Sequence, residues 1–250
     1  MSVYEKIKPF INKIKEILSW IIRYKILIII FLLIIFLILE YLSLPSKNEI
    51  RNLRKTNPKK TALMKQREKE YFEKGKKVSF QHYWVPLSRI SENMKRAVIV
   101  AEDGNFYQHE GIDWYEVKES IKKDIQKGKI VRGASTITQQ LAKNLFLSTS
   151  KDPIRKLKEI LIARMLEDEL TKSRILEIYL NIIEFGQGIF GVEAASQKYF
   201  GKNASELTRE DAACLAAVIP NPLRHNPNEN TRYLQYRKKV ILARMDARGW

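Results

Sequence analysis

Residues 26–39 read ILIIIFLLIIFLIL, a run with no polar side chain. Tyr24 and Lys25 on one side and Tyr41 and Leu42 on the other extend it to the roughly 20 residues that a bilayer-spanning helix needs. An unbroken apolar surface of this length predicts a transmembrane helix over 24–44, with Glu40 at the exit edge and tyrosines at both interfaces. Ahead of it, Ile7, Phe10, Ile11, Ile14, Ile17, Leu18 and Ile21 recur at helical spacing opposite lysines. Residues 1–23 are therefore read as a basic amphipathic segment suited to lying along a membrane surface.

Beyond Leu44 the pattern changes twice. Residues 45–80 are polar and basic, and are read as a juxtamembrane linker or jaw segment. The alternating VSFQHYWVPL predicts a short extended connection, and from Ser91 onward the periodicity is helical. Helices are predicted over 94–101, 113–127, from Ser135 onward, 152–170 and 172–184, the last ending in FGQG. Two more follow in GVEAASQKYFG and TREDAACLAAVI. Asp152–Pro153 supplies an acid at the cap and a proline at the first helical position. Thr208 with Asp211 forms a candidate capping box. The fold class is mainly α, with 81–250 as the main domain, preceded by one transmembrane helix.

Charge adds direction. The chain carries a formal +17, and most of it lies beyond residue 45. Such a balance favours anionic partners: nucleic acid, lipid headgroups or phosphorylated substrates. Lys6, Lys8, Lys13, Lys15, Arg23 and Lys25 precede the apolar run, so the N-terminus is expected in the cytoplasm and everything after Leu44 on the external side. EYLSLPSKN after the run lacks the small residues of a cleavage site, which favours a retained signal anchor. That placement, and the lack of a Cys/His finger or aromatic RNA-binding signature, make nucleic acid the wrong partner. Residues 51–78 hold eleven Lys/Arg against three Glu. A run of this kind is ordinarily a solvated face; beside a membrane helix, attraction to anionic phospholipid is the second reading.

One cysteine, Cys214 in DAACLAAVIP, excludes an internal disulfide framework and reads as a small buried apolar residue. The three histidines show no metal-ligand spacing.

The chemistry gathers in two acids and the basic residues between them. Sugar transfer from a lipid diphosphate needs a base for the attacking hydroxyl and positive charge for the departing diphosphate. Glu102, at the end of the apolar RAVIVA turn, is the candidate base: emergence from a buried helix into a cleft would desolvate it and raise its pKa. The commoner alternative is a helix-end acid paired with Arg96 or a backbone donor. His109 alone reads as a structural hydrogen-bonding residue and Phe106 as core. In RGASTITQQLAKN, Gly133 marks a turn and Ser135 or Thr136 a helix start whose free N–H groups suit an anion. Thr136, Gln140, Lys143 and Asn144 share one polar face. Arg155 and Lys156 lie four and three residues before Glu159, which is either a surface ion pair of little energetic weight or a phosphate clamp with its acid. Lys151 and Lys158 add charge.

Taken together these blocks resemble the peptidoglycan glycosyltransferase family, the lysozyme-like transferases that polymerise lipid II. Five ordered blocks carry the resemblance: EDGNFYQHEG (102–111), GASTITQQLAKN (133–144), RKLKE (155–159), KSRILEIYLNIIEFGQGIFG (172–191) with EAASQKYFGK (193–202), and LAAVIPNPLRHNP (215–227). The resemblance implies a lysozyme-like helical lobe with a small membrane-proximal jaw. It implies that Glu102 deprotonates the 4-hydroxyl of the acceptor GlcNAc, whose oxygen attacks the donor MurNAc anomeric carbon with inversion. A β-1,4 link forms and undecaprenyl pyrophosphate leaves. Lys143, Arg155 and Lys156 would hold the diphosphate, with Glu159 the second essential acid. Asp103, Phe106, His109, Ser135, Thr136, Gln139, Gln140 and Asn144 match the family's substrate-binding positions, and Glu177, Tyr179 and Asn181 its cleft braces. A divalent cation such as Mg²⁺, held through the substrate pyrophosphate, is the implied cofactor, with no organic cofactor. The implied partners are lipid II, the growing glycan strand, the anionic membrane and other cell-wall synthesis proteins. With no Ser-x-x-Lys transpeptidase block, the resemblance is to the monofunctional type in the bacterial cytoplasmic membrane. A cleaving enzyme of related fold would need a protonating acid but no diphosphate cradle, so the basic cluster argues against it.

Overall fold

Helices begin where a side-chain oxygen is placed to accept the free N–H groups of a first turn. The computed structural model describes residues 3–128, 135–150 and 152–250. Its helices are α1 (Val3–Leu42), α2 (Lys47–Asn52), α3 (Ala62–Glu73), α4 (Glu92–Glu102), α5 (Trp114–Lys127), α6 (Ile137–Phe146), α7 (Pro153–Glu169), α8 (Lys172–Ile182), α9 (Val192–Phe200), α10 (Arg209–Val218) and α11 (Arg232–Asp246). Ser46, Thr61, Ser91, Asp113, Thr136, Asp152, Thr171, Thr208 and Thr231 cap α2 to α8, α10 and α11. The Thr208–Asp211 capping box forms as the sequence predicts.

The chain divides into two compact units, Met1–Leu44 and Pro45–Trp250. The first is α1, whose apolar stretch is long and apolar enough to cross a membrane. In the second, α4 packs on α10 and α11, while α6 packs on α7 and α8. The α4–α10 contact is close because alanines face it: Ala97, Ala212, Ala213, Ala216 and Ala217 are fully buried. Residues 45–80 fold onto this helical body, with α2 against α7 and α3 against α6. Arg51 and Arg54 of the α2 segment both hydrogen-bond Glu169 at the end of α7.

One expectation is corrected. Helix α8 ends at Ile182 rather than near 184, and Glu184–Gly186 is a strand, β2. With β1 (Gln81–His82) and β3 (Ile189–Phe190) it makes a sheet of order β1-β3-β2, in which β1 runs parallel and β2 antiparallel to β3. Gln81 pairs with Ile189 and His82 with Phe190. Burial decides it: Phe185, Ile189 and Phe190 sit inside the fold, where β pairing satisfies backbone groups that helical periodicity alone left open.

Gly191 closes this sheet and opens α9. Its φ is 83°, its N–H donates to the Ile183 carbonyl at 2.9 Å, and a Cβ there would meet the Asn181 carbonyl oxygen at 2.4 Å. Gly201, also left-handed at φ 66°, faces open space. Gly191→Ala is expected to lower unfolding free energy by about 3 kcal/mol, through strain plus a backbone clash. Gly201→Ala is expected to cost only about 1 kcal/mol, from strain alone. Thermal unfolding of the two full-length variants measures the contrast, and equal losses would contradict it.

Candidate active site

Glu102 is the last residue of α4, and Ala97 to Ala101 behind it are all buried. Its side chain is only 10% exposed. Gln140 Nε2 donates to Glu102 Oε2 at 2.8 Å, and the Tyr179 hydroxyl donates to Gln140 Oε1 at 2.9 Å. The buried phenol thus fixes which way the amide faces, and the amide holds the carboxylate. Arg237 of α11 brings Nη2 to 3.6 Å from Glu102 Oε1, within ion-pair range. Arg96, one of the partners in the alternative reading of Glu102 as a paired helix-end acid, places its guanidinium over the Trp250 ring. Nε and Nη2 of Arg237 are buried and make no hydrogen bond among the described residues.

Next to Glu102, Asp103 turns inward. Its Oδ2 accepts the Ile137 N–H at 2.9 Å, and its Oδ1 faces His109 Nε2 at 2.8 Å. Since His109 Nδ1 accepts the Gly111 N–H, the ring proton sits on Nε2 and is donated to Asp103. Thr136 donates to the Gly111 carbonyl at 2.6 Å and caps Gln139, whose side chain caps Thr136 in return. The start of α6, expected to receive a ligand anion, is therefore filled by the protein's own carboxylate. Phe106 is fully buried with the Lys172 ammonium 4.6 Å from its ring centroid. Asp103, His109 and Thr136 make hydrogen bonds that tie α4, the 103–113 loop and α6 together, Gln139 completes the α6 capping box, and Phe106 is packed in the core. Gly133 and Lys151 lie outside the described residues.

Asp103, His109 and Asp113 bring one potential ligand atom each to within 4.8 Å of one another. Both Asp113 oxygens accept hydrogen bonds, from the Glu116 N–H and from Asn105, and both Asp103 oxygens are engaged. With its lone pairs directed at N–H groups, the trio fits a structural brace and not a resident metal.

The cationic wall comes from α7 and α6. Glu159 is 3% exposed; its Oε2 accepts from Arg155 at 2.6 Å and its Oε1 from Lys156. Lys156 also donates to Ser135 Oγ at 3.0 Å. The i,i+4 and i,i+3 spacing seen in sequence makes these pairs, but burial removes them from the class of exposed ion pairs that matter little. Lys143 of α6 faces Glu159, Arg155, Lys156 and Glu102; burial pulls its pKa below the ordinary lysine range, against the pull of the two acids. Gln140, Lys143 and Asn144 line a cavity of about 140 Å³ with Arg67, Glu184 and Pro220. Arg67 bridges Glu184 at 2.9 Å, tying α3 to β2. Burial pushes the Glu184 carboxyl up, and Arg67 only partly offsets this.

Glu177 and Asn181 brace the cleft from α8. Asn181 holds both the N–H and the carbonyl of Val85 at 2.9 Å, and Glu177 accepts the Leu87 N–H. Arg67, Glu184 and Arg237 escaped the sequence reading. Arg67 was one of eleven basic residues in a run, and nothing in the spacing around Arg237 distinguishes it from its neighbours.

A transglycosylase family model matches residues 68–246, from within α3 to the end of α11. Among curated proteins, the biosynthetic peptidoglycan transglycosylase of Janthinobacterium sp. (strain Marseille) is 48% identical over 191 residues, covering 76% of this chain and 83% of that protein. Proteins of the same name from Herminiimonas arsenicoxydans and Nitrosospira multiformis are 49% and 47% identical over 189 residues, each covering 76% of this chain and 82% of the relative.

The Tyr179–Gln140–Glu102 chain makes an energetic prediction of its own. Tyr179→Phe leaves the Gln140 oxygen without its donor and is expected to cost about 1–2 kcal/mol of stability. In a double-mutant cycle with Gln140→Leu the coupling is expected to be about 1 kcal/mol, read from thermal unfolding. A coupling of zero would show that the two side chains do not hold each other.

Proposed function

The chain belongs to the transglycosylase family, and we propose that its cleft polymerises lipid II by transferring the growing glycan from a lipid-linked diphosphate to an acceptor sugar. One observation carries this reading: Lys143 sits between the acid Glu102 and the clamp Arg155–Glu159–Lys156, with burial lowering its pKa. A partly desolvated ammonium costs the protein free energy until an anion joins it. A diphosphate is the anion this reaction offers.

Glu102 takes the proton of the acceptor GlcNAc 4-hydroxyl. The freed oxygen attacks the donor MurNAc anomeric carbon from the face opposite the diphosphate. The C1–O bond to phosphate breaks, its electron pair leaves with undecaprenyl pyrophosphate, and inversion gives a β-1,4 link. Lys143, Arg155 and Lys156 take up the charge that develops on the leaving oxygens. Glu159 holds the two α7 cations in place and does not itself react. Gln140 orients the base, Ser135 positions Lys156, and Asn144 lies beside Lys143 in the cavity wall. Arg237 stands within ion-pair range of Glu102, on the side away from Gln140. A divalent cation such as Mg²⁺ would neutralise further charge on the diphosphate. Glu159, Asp103 and Asp113 are already engaged, which supports an ion carried by the substrate over one held in a protein cage.

Helix α1 anchors the enzyme in a membrane, with the N-terminus on the cytoplasmic side and the catalytic unit outside, following the lysines that precede the apolar run. Anionic phospholipid and other wall-synthesis proteins are its partners there.

Full-length protein in vesicles with purified lipid II tests the chemistry. Glu102→Gln keeps an acceptor for Gln140 and is expected to lower polymerisation about a hundredfold or more while retaining donor binding. Normal turnover in that variant would remove Glu102 from the base role. Donor engagement is expected to fall as pH rises through the lowered Lys143 pKa, because the ammonium is then lost. In Lys143→Arg the guanidinium stays charged, so the alkaline fall moves to higher pH. An unchanged alkaline limb would show that Lys143 is not the titrating group.

A further inference from the structure

A larger cavity, of about 760 Å³, opens on another face of α3 and shares no lining residue with the cleft. Leu63 and Arg67 of α3 face the cleft, whereas Met64, Glu68, Tyr71 and Phe72 face this second cavity. Its floor is apolar. Met64 and Phe190 are buried, Phe80 packs against Phe190 at a centroid distance of 5.3 Å, and Tyr71 meets Phe80 edge-on at 6.2 Å. Its rim is cationic, formed by Lys59, Lys60, Lys76 and Lys77.

The charge on that rim is not cancelled. Glu68, the carboxylate in the lining, pairs with Lys60 at 2.5 Å, and among the described residues no ion pair engages Lys59, Lys76 or Lys77. His82 contributes none, because burial lowers its pKa and its Nε2 is turned to the Asn181 carbonyl at 2.9 Å. Phe72, at the edge of the cavity, is 84% exposed. Three unpaired ammonium groups over an aromatic floor match a molecule with an anionic head and an apolar body. A free phosphate would leave the floor uncovered, and a neutral hydrophobe would leave the lysines uncompensated.

We propose that this cavity binds one anionic phospholipid, its phosphodiester on Lys59, Lys76 and Lys77 and the first methylenes of its chains on Met64, Phe80 and Phe190. Chain connectivity favours a bilayer lipid, since only a short stretch separates Lys59 from the apolar span that ends near Leu44. The site is separate from the catalytic cleft and does not depend on the reaction assigned there. Because α3 forms a wall of both cavities, a lipid held in one also holds the helix that carries Arg67 in the other.

Native mass spectrometry of the full-length protein in detergent tests this, with phosphatidylglycerol and phosphatidylcholine as probes. The exposed lysines permit a triple variant, Lys59→Ser with Lys76→Ser and Lys77→Ser, that leaves the core and the catalytic residues untouched. Wild type is expected to retain one phosphatidylglycerol more tightly than phosphatidylcholine, and the triple variant to hold it about tenfold more weakly or worse. The difference between the two proteins is the readout, because α1 collects lipid in both. Equal retention of the two lipids, or an unchanged variant, would overturn the proposal. Displacement of the lipid by glycerol 1-phosphate alone would make this a phosphate site, and displacement by lipid II would assign it to the substrate; either result also overturns it.

Discussion

The bond from the Ile137 N–H to Asp103 Oδ2 joins two helices that meet end to end, the C-terminus of α4 and the N-terminus of α6. Each end by itself leaves backbone groups without intrahelical partners, and the carboxylate settles part of that need at the N-terminus of α6, where negative charge is favoured by the helix dipole. Everything in the site follows from this junction. With α4 and α6 fixed end to end, Glu102, one residue before Asp103, faces Gln140, one helical turn into α6. His109 and Thr136 then tie the intervening loop to the same point. The EDGNFYQHEG block is therefore divided in labour: one acid faces the cleft, and its neighbour builds the frame.

Electrostatics inside that frame are arranged by burial as much as by pairing. Glu159 is nearly inaccessible, and both of its oxygens are occupied by Arg155 and Lys156. Removing either cation would leave one oxygen of a buried carboxylate without its partner, and removing both would leave the charge uncompensated, the costly case for such pairs. Lys143 receives no comparable partner among the described residues and bears the desolvation instead. The contrast separates cations that are held from one that is available. Arg237 lies between the two cases: its Nη2 is in ion-pair range of Glu102, yet Nε and Nη2 are buried without a hydrogen bond among the described residues.

Helix α3 links this chemistry to the segment that follows the apolar span. Its Arg67 closes one side of the cleft through Glu184, while its Met64 and Tyr71 floor the larger lysine-rimmed cavity. A short helix with two working faces explains why residues 45–80 look featureless in composition: the basic residues serve different surfaces and carry no common periodicity.

What the sequence determined by itself is whatever depends on neighbours within a turn or two. The caps at Thr136, Asp152 and Thr208, the apolar span, and the Arg155–Lys156–Glu159 set on one face of α7 are all local, since side-chain oxygens and i,i+4 pairs act over a few ångströms of contiguous chain. The tertiary structure alone decided which polar residues face outward. Nothing near Asp103 in the chain marks it as buried, because the Ile137 N–H that it accepts arrives from another helix. The same holds for Gln140 on Glu102, 38 residues apart, for Arg67 on Glu184, 117 apart, and for Arg237 beside Glu102. The strands at 184–190 belong here too, for their pairing with Gln81–His82 is a long-range match that helical periodicity cannot register. Local patterns fix where helices start and which way their faces point, but a side chain becomes catalytic or structural only when packing decides how much water it keeps and which charge it meets.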